Sequence, residues 1–265
     1  MIIGQEKICS RIDNLTIDSF PRTLMLVGPQ GSGKHLVVDY AAKKLNLQVI
    51  DITTSLNQEY IEELYNRVEP YVYLIRANEL SVKEENTILK FIEEPLKNSY
   101  IILIAETDIG ILQTILNRCQ IWYLQNYSKE NLRQFLTNDN EYILTIANTP
   151  GQVIDLCNTS FNDMLELANK IISKIEIASV ANTLTLSNKI GFKKEADKFN
   201  LNLFVTVLTQ TIVDCCKNTN DQRYVSAYML TSELKKKLCV KNLDNKALFE
   251  KYLINLRAIM RGESI

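Results

Sequence analysis

The chain has a single histidine, His35, and six cysteines, Cys9, Cys119, Cys157, Cys215, Cys216 and Cys239, with no C-x-x-C pair among them. With one imidazole and no paired thiols, no zinc constellation can be assembled by spacing. Scattered cysteines of this kind read as buried free thiols in a reducing compartment. An excess of either charge is also missing. Thirty basic residues against thirty-one acidic ones leave a net charge of −1, so bulk charge does not mark a nucleic-acid binder, although a local basic surface within an assembly is compatible with it. Long apolar runs are absent, and the longest, such as Tyr100–Ala105, are far too short to span a bilayer. The start, Met1-Ile2-Ile3-Gly4-Gln5-Glu6-Lys7, lacks the charged-then-apolar design of a signal peptide, and the expectation is a cytoplasmic protein without membrane contact. Internal repeats and low-complexity segments are lacking too. What remains is an ordinary globular composition, 46% hydrophobic and 23% charged over 265 residues, enough for a large core and two or three domains.

The most informative stretch is Leu24-Met25-Leu26-Val27-Gly28-Pro29-Gln30-Gly31-Ser32-Gly33-Lys34-His35. An apolar run ends in a glycine-rich turn, and an amphipathic pattern follows through Leu45. This is the strand–turn–helix context of a phosphate-binding loop, with Gly28 and Gly33 at the spacing G-x-x-x-x-G-K. Glycines let the backbone curl so that successive N–H groups face an anion, and the helix start adds its positive dipole end. Lys34 would reach the terminal phosphates. The next position normally carries the Ser or Thr whose hydroxyl ligates Mg²⁺. Here it is His35, and a neutral imidazole is a poor ligand for so hard an ion. Gly28, Pro29, Gln30, Gly31, Ser32, Gly33, Lys34 and His35 are therefore the nucleotide-binding candidates, with ATP or ADP as occupant and little provision for Mg²⁺.

Taken in order, the chain opens with a helix over roughly Glu6–Leu15. Strands are expected at Leu24–Val27, Gln48–Ile52, Tyr71–Ile75, Tyr100–Ala105 and Gln120–Leu124. Helices are expected between them, over Lys34–Leu45, Asn57–Arg67, the stretch from Ser81 to Pro95, and Ile111–Leu116. Ser81 and Glu84 form a capping box at the start of the third, and Pro95 closes it. Strands alternating with helices predict a parallel sheet covered on both faces. After Asn126 no β-rich run follows. Three short helices, begun by Ser128, Tyr142 and Pro150, make a small satellite domain, and longer amphipathic helices are expected over 161–175, 177–190, 195–217, 221–239 and 244–261. In the third of these, Leu201, Phe204, Val205, Leu208, Thr209 and Ile212 give a wide apolar face.

Several stretches together resemble one family, the clamp-loader subunits of bacterial DNA polymerase III within the AAA+ ATPases. Ile3-Gly4-Gln5-Glu6 is similar to that family's opening Gly-Gln motif, and Gly28–Lys34 to its phosphate loop. Asn86-Thr87-Ile88-Leu89-Lys90-Phe91-Ile92-Glu93-Glu94-Pro95 resembles its N-A-L-L-K-x-L-E-E-P helix. Thr114-Ile115-Leu116-Asn117-Arg118-Cys119 resembles T-I-x-S-R-C, and Thr149-Pro150-Gly151 the small-Pro-Gly turn of the delta-prime members. The similarity covers the first 160 residues; the rest matches in length and helical character. The resemblance implies an α/β P-loop AAA+ domain over 1–126 with a parallel five-stranded sheet, a three-helix lid over 127–159, and an all-α collar over 160–265 that serves oligomerisation.

Departures from the pattern carry the functional expectation. In hydrolysing relatives an Asp-Glu pair follows the third strand, and alignment puts Ile75 and Arg76 at those places. Arg76 would compete with a metal ion electrostatically, and no metal site is expected. The lid arginine that senses the γ-phosphate aligns with Gln152 or Val153. Arg118 is retained. In the family this arginine acts in trans on ATP bound by the neighbouring subunit, a role that suits an always-charged, forked guanidinium; outside its motif it would read as a surface or intradomain salt-bridge arginine. Glu93 and Glu94 read as cap or solvent-face charges, and Lys235-Lys236-Lys237 as a solvated helix face, with a weak phosphate contact as the alternative. The resemblance thus implies a delta-prime-like, largely non-hydrolysing subunit. Its expected partners are the other clamp-loader subunits in a hetero-oligomeric ring and, through the assembly, the sliding clamp and primer–template DNA. An active motor-type ATPase and a AAA+-derived scaffold without nucleotide function are the alternatives.

Overall fold

The computed structural model describes residues 2–97, 99–159, 161–185, 188, 190–191, 199–238, 240 and 243–263. The chain divides into two compact units, Met1–Leu132 with Thr149–Gly151, and Arg133–Asn148 with Gln152–Ile265.

The first unit runs through α1 (Glu6–Asp13), β1 (Thr23–Val27), α2 (Lys34–Leu45), β2 (Gln48–Asp51), α3 (Gln58–Tyr65), β3 (Tyr71–Arg76), α4 (Val82–Glu93), β4 (Tyr100–Ala105), α5 (Gln113–Leu116), β5 (Gln120–Tyr123) and α6 (Lys129–Arg133, as far as Leu132). The five strands form one parallel sheet in the order β2-β3-β4-β1-β5. This is the sheet the apolar runs predict, and the reason is burial on both faces. Successive side chains of a strand point to opposite sides. Leu24 and Leu26 of β1 therefore pack with Ile8 and Ile12 of α1 and with Val37, Val38 and Ala41 of α2. Met25 and Val27 pack on the other face with Ile75, Phe91 and Ile115. All six residues of β4 are buried, and each such aliphatic side chain contributes about 1.5–3 kcal/mol.

Register positions the candidate site. Val27 stands beside Ala105 on one side and Tyr123 on the other, so β1, β4 and β5 end together. The loop after β1 opens there, where the chain crosses from the sheet's interior to edge strand β2; in α/β sheets such crossings are where ligands sit. Helix α4 is fixed at both ends by local chemistry. Ser81 Oγ accepts from Glu84 N at 3.3 Å and Glu84 Oε2 accepts from Ser81 N at 2.7 Å, while Pro95 follows the C-cap residue Glu94.

The second unit holds α7 (Ile143–Ile146), α8 (Pro150–Asn158, from Gln152 onward), α9 (Phe161–Lys174), α10 (Val180–Thr185), α11 (Leu201–Thr219), α12 (Gln222–Leu238) and α13 (Asn245–Arg261). It is a helical bundle in which α11 lies against α9 and α12, and α13 against α10 and α12. Helix α11 buries Leu203, Val207 and Thr211 besides Leu201, Phe204, Val205, Leu208 and Ile212 of the face read from sequence, because helices cover it on two sides, while Thr209 of that face is only half-buried. The rings of Phe204 and Phe249 meet edge-on at 6.2 Å, and Tyr142 OH donates to Asp214 Oδ2 at 2.5 Å.

Two expectations change here. Of the helix expected over 177–190 the described residues hold α10 at Val180–Thr185, and Ile190–Gly191 (β6) pairs in parallel with Phe199–Asn200 (β7). A β-branched residue followed by glycine holds a helix poorly. The helix expected over 195–217 begins at Leu201, where Asn200 Oδ1 caps it by accepting from Leu203 N at 3.1 Å. Residues 186, 187, 189 and 195–198 of those two stretches, and Cys239, lie outside the described residues. Cys9, Cys119, Cys157, Cys215 and Cys216 are free thiols. Lys237 of the lysine run pairs with Glu233 at 2.6 Å. Among the described residues no helix is long and apolar enough to cross a membrane, and no three His, Cys, Asp or Glu side chains gather to hold a metal.

Candidate functional site

The loop from Gly28 to Lys34 joins β1 to α2. It starts where Gly28 N donates to Ala105 O at 3.0 Å. Gly31 (φ +75°) and Gly33 (φ +84°) take the left-handed conformation that bends it, and Gly33 is the N-cap of α2. Every carbonyl from Gly28 to Ser32 is engaged within the first unit. Lys34 Nζ donates to Gly28 O at 2.5 Å and to Pro29 O at 2.9 Å. Thr149 Oγ1 donates to Gln30 O at 2.9 Å, Gly151 N to Gly31 O at 3.0 Å, and Tyr127 OH to Ser32 O at 2.8 Å. The Thr149–Gly151 turn lies so close that a Cβ on Gly31 would stand 2.7 Å from Gly151 Cα.

The donors, in contrast, fit a phosphate. The first N–H groups of a helix lack intrahelical acceptors. Ser32 Oγ is buried with no partner, and an orphaned hydroxyl beside a helix start is a ready donor to an anion. Lys34 is buried, and burial pushes its ammonium down to about 8, against a smaller opposing pull from Glu106. His35 is exposed at the helix start. The residues present thus fit the phosphates of a nucleotide better than they fit a metal ion.

At the end of β3 the two positions aligned with an acid pair hold no acid. Ile75 is wholly buried in the core. Arg76 Nε stands 3.1 Å from Asp51 Oδ2 as a charge contact without hydrogen-bond alignment, and Nη1 donates to Glu79 Oε1 at 2.9 Å. Burial raises the Asp51 carboxyl, but the Thr53 hydroxyl and N–H, then Arg76 and His35, outweigh it and leave it below the usual range. Asn78 Oδ1 accepts from Glu106 N at 2.5 Å, which ties the ends of β3 and β4 together. Gln152, at the aligned sensor position, turns back so that its Oε1 accepts from Asn148 N at 2.8 Å, and Val153 is wholly buried.

Arg118 stands just past α5, after the C-cap residue Asn117. Ile115 beneath it is fully buried, and Cys119 packs against the same core with its thiol pushed up to about 12 by burial. The Arg118 side chain is 38% exposed. Its Nη1 donates to Thr114 O at 2.9 Å, and its Nη2 lies 2.6 Å from Glu93 Oε1. Glu93, read from sequence as a cap or solvent-face charge, is thus an ion-pair partner.

Comparison with known proteins follows the same division. The family model described as DNA polymerase III, delta subunit, matches residues 47–128. DNA polymerase III subunit delta′ of Haemophilus influenzae is 30% identical over 100 residues, 36% of this chain and 31% of that protein. The Bacillus subtilis subunit delta′ is 29% identical over 111 residues, 40% of this chain and 34% of that protein. The chain resembles the delta-prime subunits of bacterial DNA polymerase III. The matched stretches span about a third of those relatives' own lengths. The crystal structure of a DNA polymerase III gamma subunit-related protein from Thermotoga maritima superposes with a TM-score of 0.50 at 15% identity, over 97% of this chain and 100% of that one, which shows the shared fold. The matched span 47–128 contains Arg76, Glu93 and Arg118 and excludes the loop Gly28–His35.

Sequence reasoning placed the loop, Arg76 and Arg118, and the structure brings the first two to the same end of the sheet. It missed Tyr127 and the contacts of Thr149–Gly151 with the loop. The Thr-Pro-Gly turn was visible as a motif, but its nearness to Gly31 had no signal in sequence. It also missed that Glu93 and Arg118 meet, since each ends a different helix.

Proposed function

We propose that this chain is a clamp-loader subunit of the delta-prime type, largely non-hydrolysing itself, which supplies Arg118 to ATP bound by a neighbouring subunit. One contrast carries the reading. At the end of β3 Arg76 is held by Asp51 and Glu79 where a hydrolysing relative has acids, while Arg118 keeps a half-exposed side chain just past the end of α5. A guanidinium so placed stabilises charge that develops on a transferred phosphoryl group. Similarity to the delta-prime subunits supports membership of a DNA polymerase III assembly. In that assembly the partners are the other clamp-loader subunits and, through them, the sliding clamp and primer–template DNA. The division into a nucleotide-binding domain over 1–126, a lid over 127–159 and a collar over 160–265 belongs to the same proposal, as does a place in the cytoplasm.

The loop's role is secondary in this reading. ATP or ADP at the loop would be held by Ser32, Lys34 and the first N–H groups of α2, and Lys34 would have to exchange its two carbonyl acceptors for phosphate oxygens. Turnover measurements test the proposal. The chain alone should hydrolyse ATP near background, and mixing with its cognate ATPase subunits should raise turnover. Arg118→Ala should lower that raised rate roughly 10²-fold or more while assembly, followed by gel filtration, is unchanged. Hydrolysis by the isolated chain at the rate of a motor subunit would sink the proposal and favour an active ATPase. A full rise with Arg118→Ala, together with no nucleotide binding by calorimetry, would favour a scaffold.

A further inference from the structure

The geometry points to Glu93 as the positioning residue for Arg118, an inference that rests on the proposed trans role of that arginine. Helix α4 ends at Glu93, and Pro95 forbids its continuation, so the carboxylate sits at the negative end of the helix dipole. A carboxylate there is locally unfavourable, and such a broken rule wants a compensating contact. The contact is Arg118 Nη2 at 2.6 Å. On its other nitrogen the guanidinium donates to Thr114 O, one of the carbonyls that α5 leaves without an intrahelical partner.

The two anchors come from rigid ground. Phe91 and Ile92 of α4 and Ile115 of α5 are buried in the same core layer, and α4 packs directly on α5. The guanidinium is thereby held between two helix ends. Arginine has five N–H donors, so two contacts leave donors over for an incoming phosphate oxygen. A long side chain with high rotamer entropy is pre-oriented, and less freedom is lost when a neighbour's nucleotide arrives. Glu93 does not touch that nucleotide; it acts through Arg118.

The test uses the assembled complex with its ATPase subunits and five versions of this chain: wild type, Glu93→Gln, Glu93→Asp, Arg118→Ala and the Glu93→Gln/Arg118→Ala double variant. Glu93→Gln keeps the side chain's shape and loses its charge. The expected result is a kcat roughly two- to fivefold lower, the scale of a half-exposed charge pair, at unchanged KM for ATP and unchanged assembly midpoint. Glu93→Asp, which keeps the charge on a shorter stem, should recover part of the rate. In the Arg118→Ala background Glu93→Gln should have no further effect on kcat, whereas a merely structural role would lower both backgrounds alike. Wild-type kcat in Glu93→Gln with loss in Arg118→Ala would overturn the positioning role and leave the arginine's role standing. A full rate in Arg118→Ala would overturn both.

Discussion

Lys34 is the residue at which the two readings of the loop meet. Its ammonium is buried among its own loop's carbonyls and titrates near 8 because burial disfavours the charge. In the unfolded chain it titrates near 10.5. Below pH 8 both states carry the proton; between 8 and 10.5 only the unfolded state does, so this group makes stability rise with pH across that window, on the order of 3 kcal/mol in all. Urea midpoints of wild type and Lys34→Met, compared from pH 7.5 to 10, should show the extra rise in wild type alone. Parallel curves would mean that Lys34 keeps an ordinary pKa. The spacing G-x-x-x-x-G-K placed this residue. Its satisfied state was not legible, because the acceptors at Gly28 and Pro29 turn toward it only in the folded loop. Arg76 is a similar case. Its position at the end of a strand was readable, whereas its pairing with Asp51 and Glu79 depends on β2 lying beside β3.

At the scale of elements, sequence rules did well wherever a cap or a breaker marked the boundary. The Ser81–Glu84 box and Pro95 set α4, and Asn57, whose Oδ1 accepts from Tyr60 N at 2.8 Å, starts α3. They failed at Ile190–Gly191, where a strand stands in place of the expected helix, since β6 and β7 form only by pairing with each other. The loop and the Thr149–Gly151 turn are the clearest case of elements that fit by absence of side chains. A Cβ on Gly31 would meet Gly151 Cα at 2.7 Å and Thr149 Oγ1 at 2.9 Å, while one on Gly110 would meet nothing within 4 Å. Both glycines have positive φ, so both substitutions cost about 1–2 kcal/mol in backbone strain. Gly31→Ala should therefore lose more stability in urea than Gly110→Ala, by at least about 1 kcal/mol of overpacking. Equal losses would show that the turn yields without cost.

For the whole molecule the division of labour is the main proposal: a loop that keeps its shape, and an arginine that serves another chain. The two should separate in one assay. In the assembled complex, Lys34→Ala, checked as folded by circular dichroism, should leave stimulated turnover within about twofold of wild type, far from the loss expected of Arg118→Ala. A complex silenced by Lys34→Ala would restore the loop to the reaction. What the sequence alone determined is the layered α/β architecture and the helical second unit, because apolar periodicity and caps act locally and repeat along the chain. It also determined which charges are missing after β3. Only the tertiary structure decided that every loop carbonyl from Gly28 to Ser32 is engaged, and that Glu93 meets Arg118. Those contacts join residues far apart in sequence, and parallel strands with helices on both faces bring them together; no local pattern records that closeness.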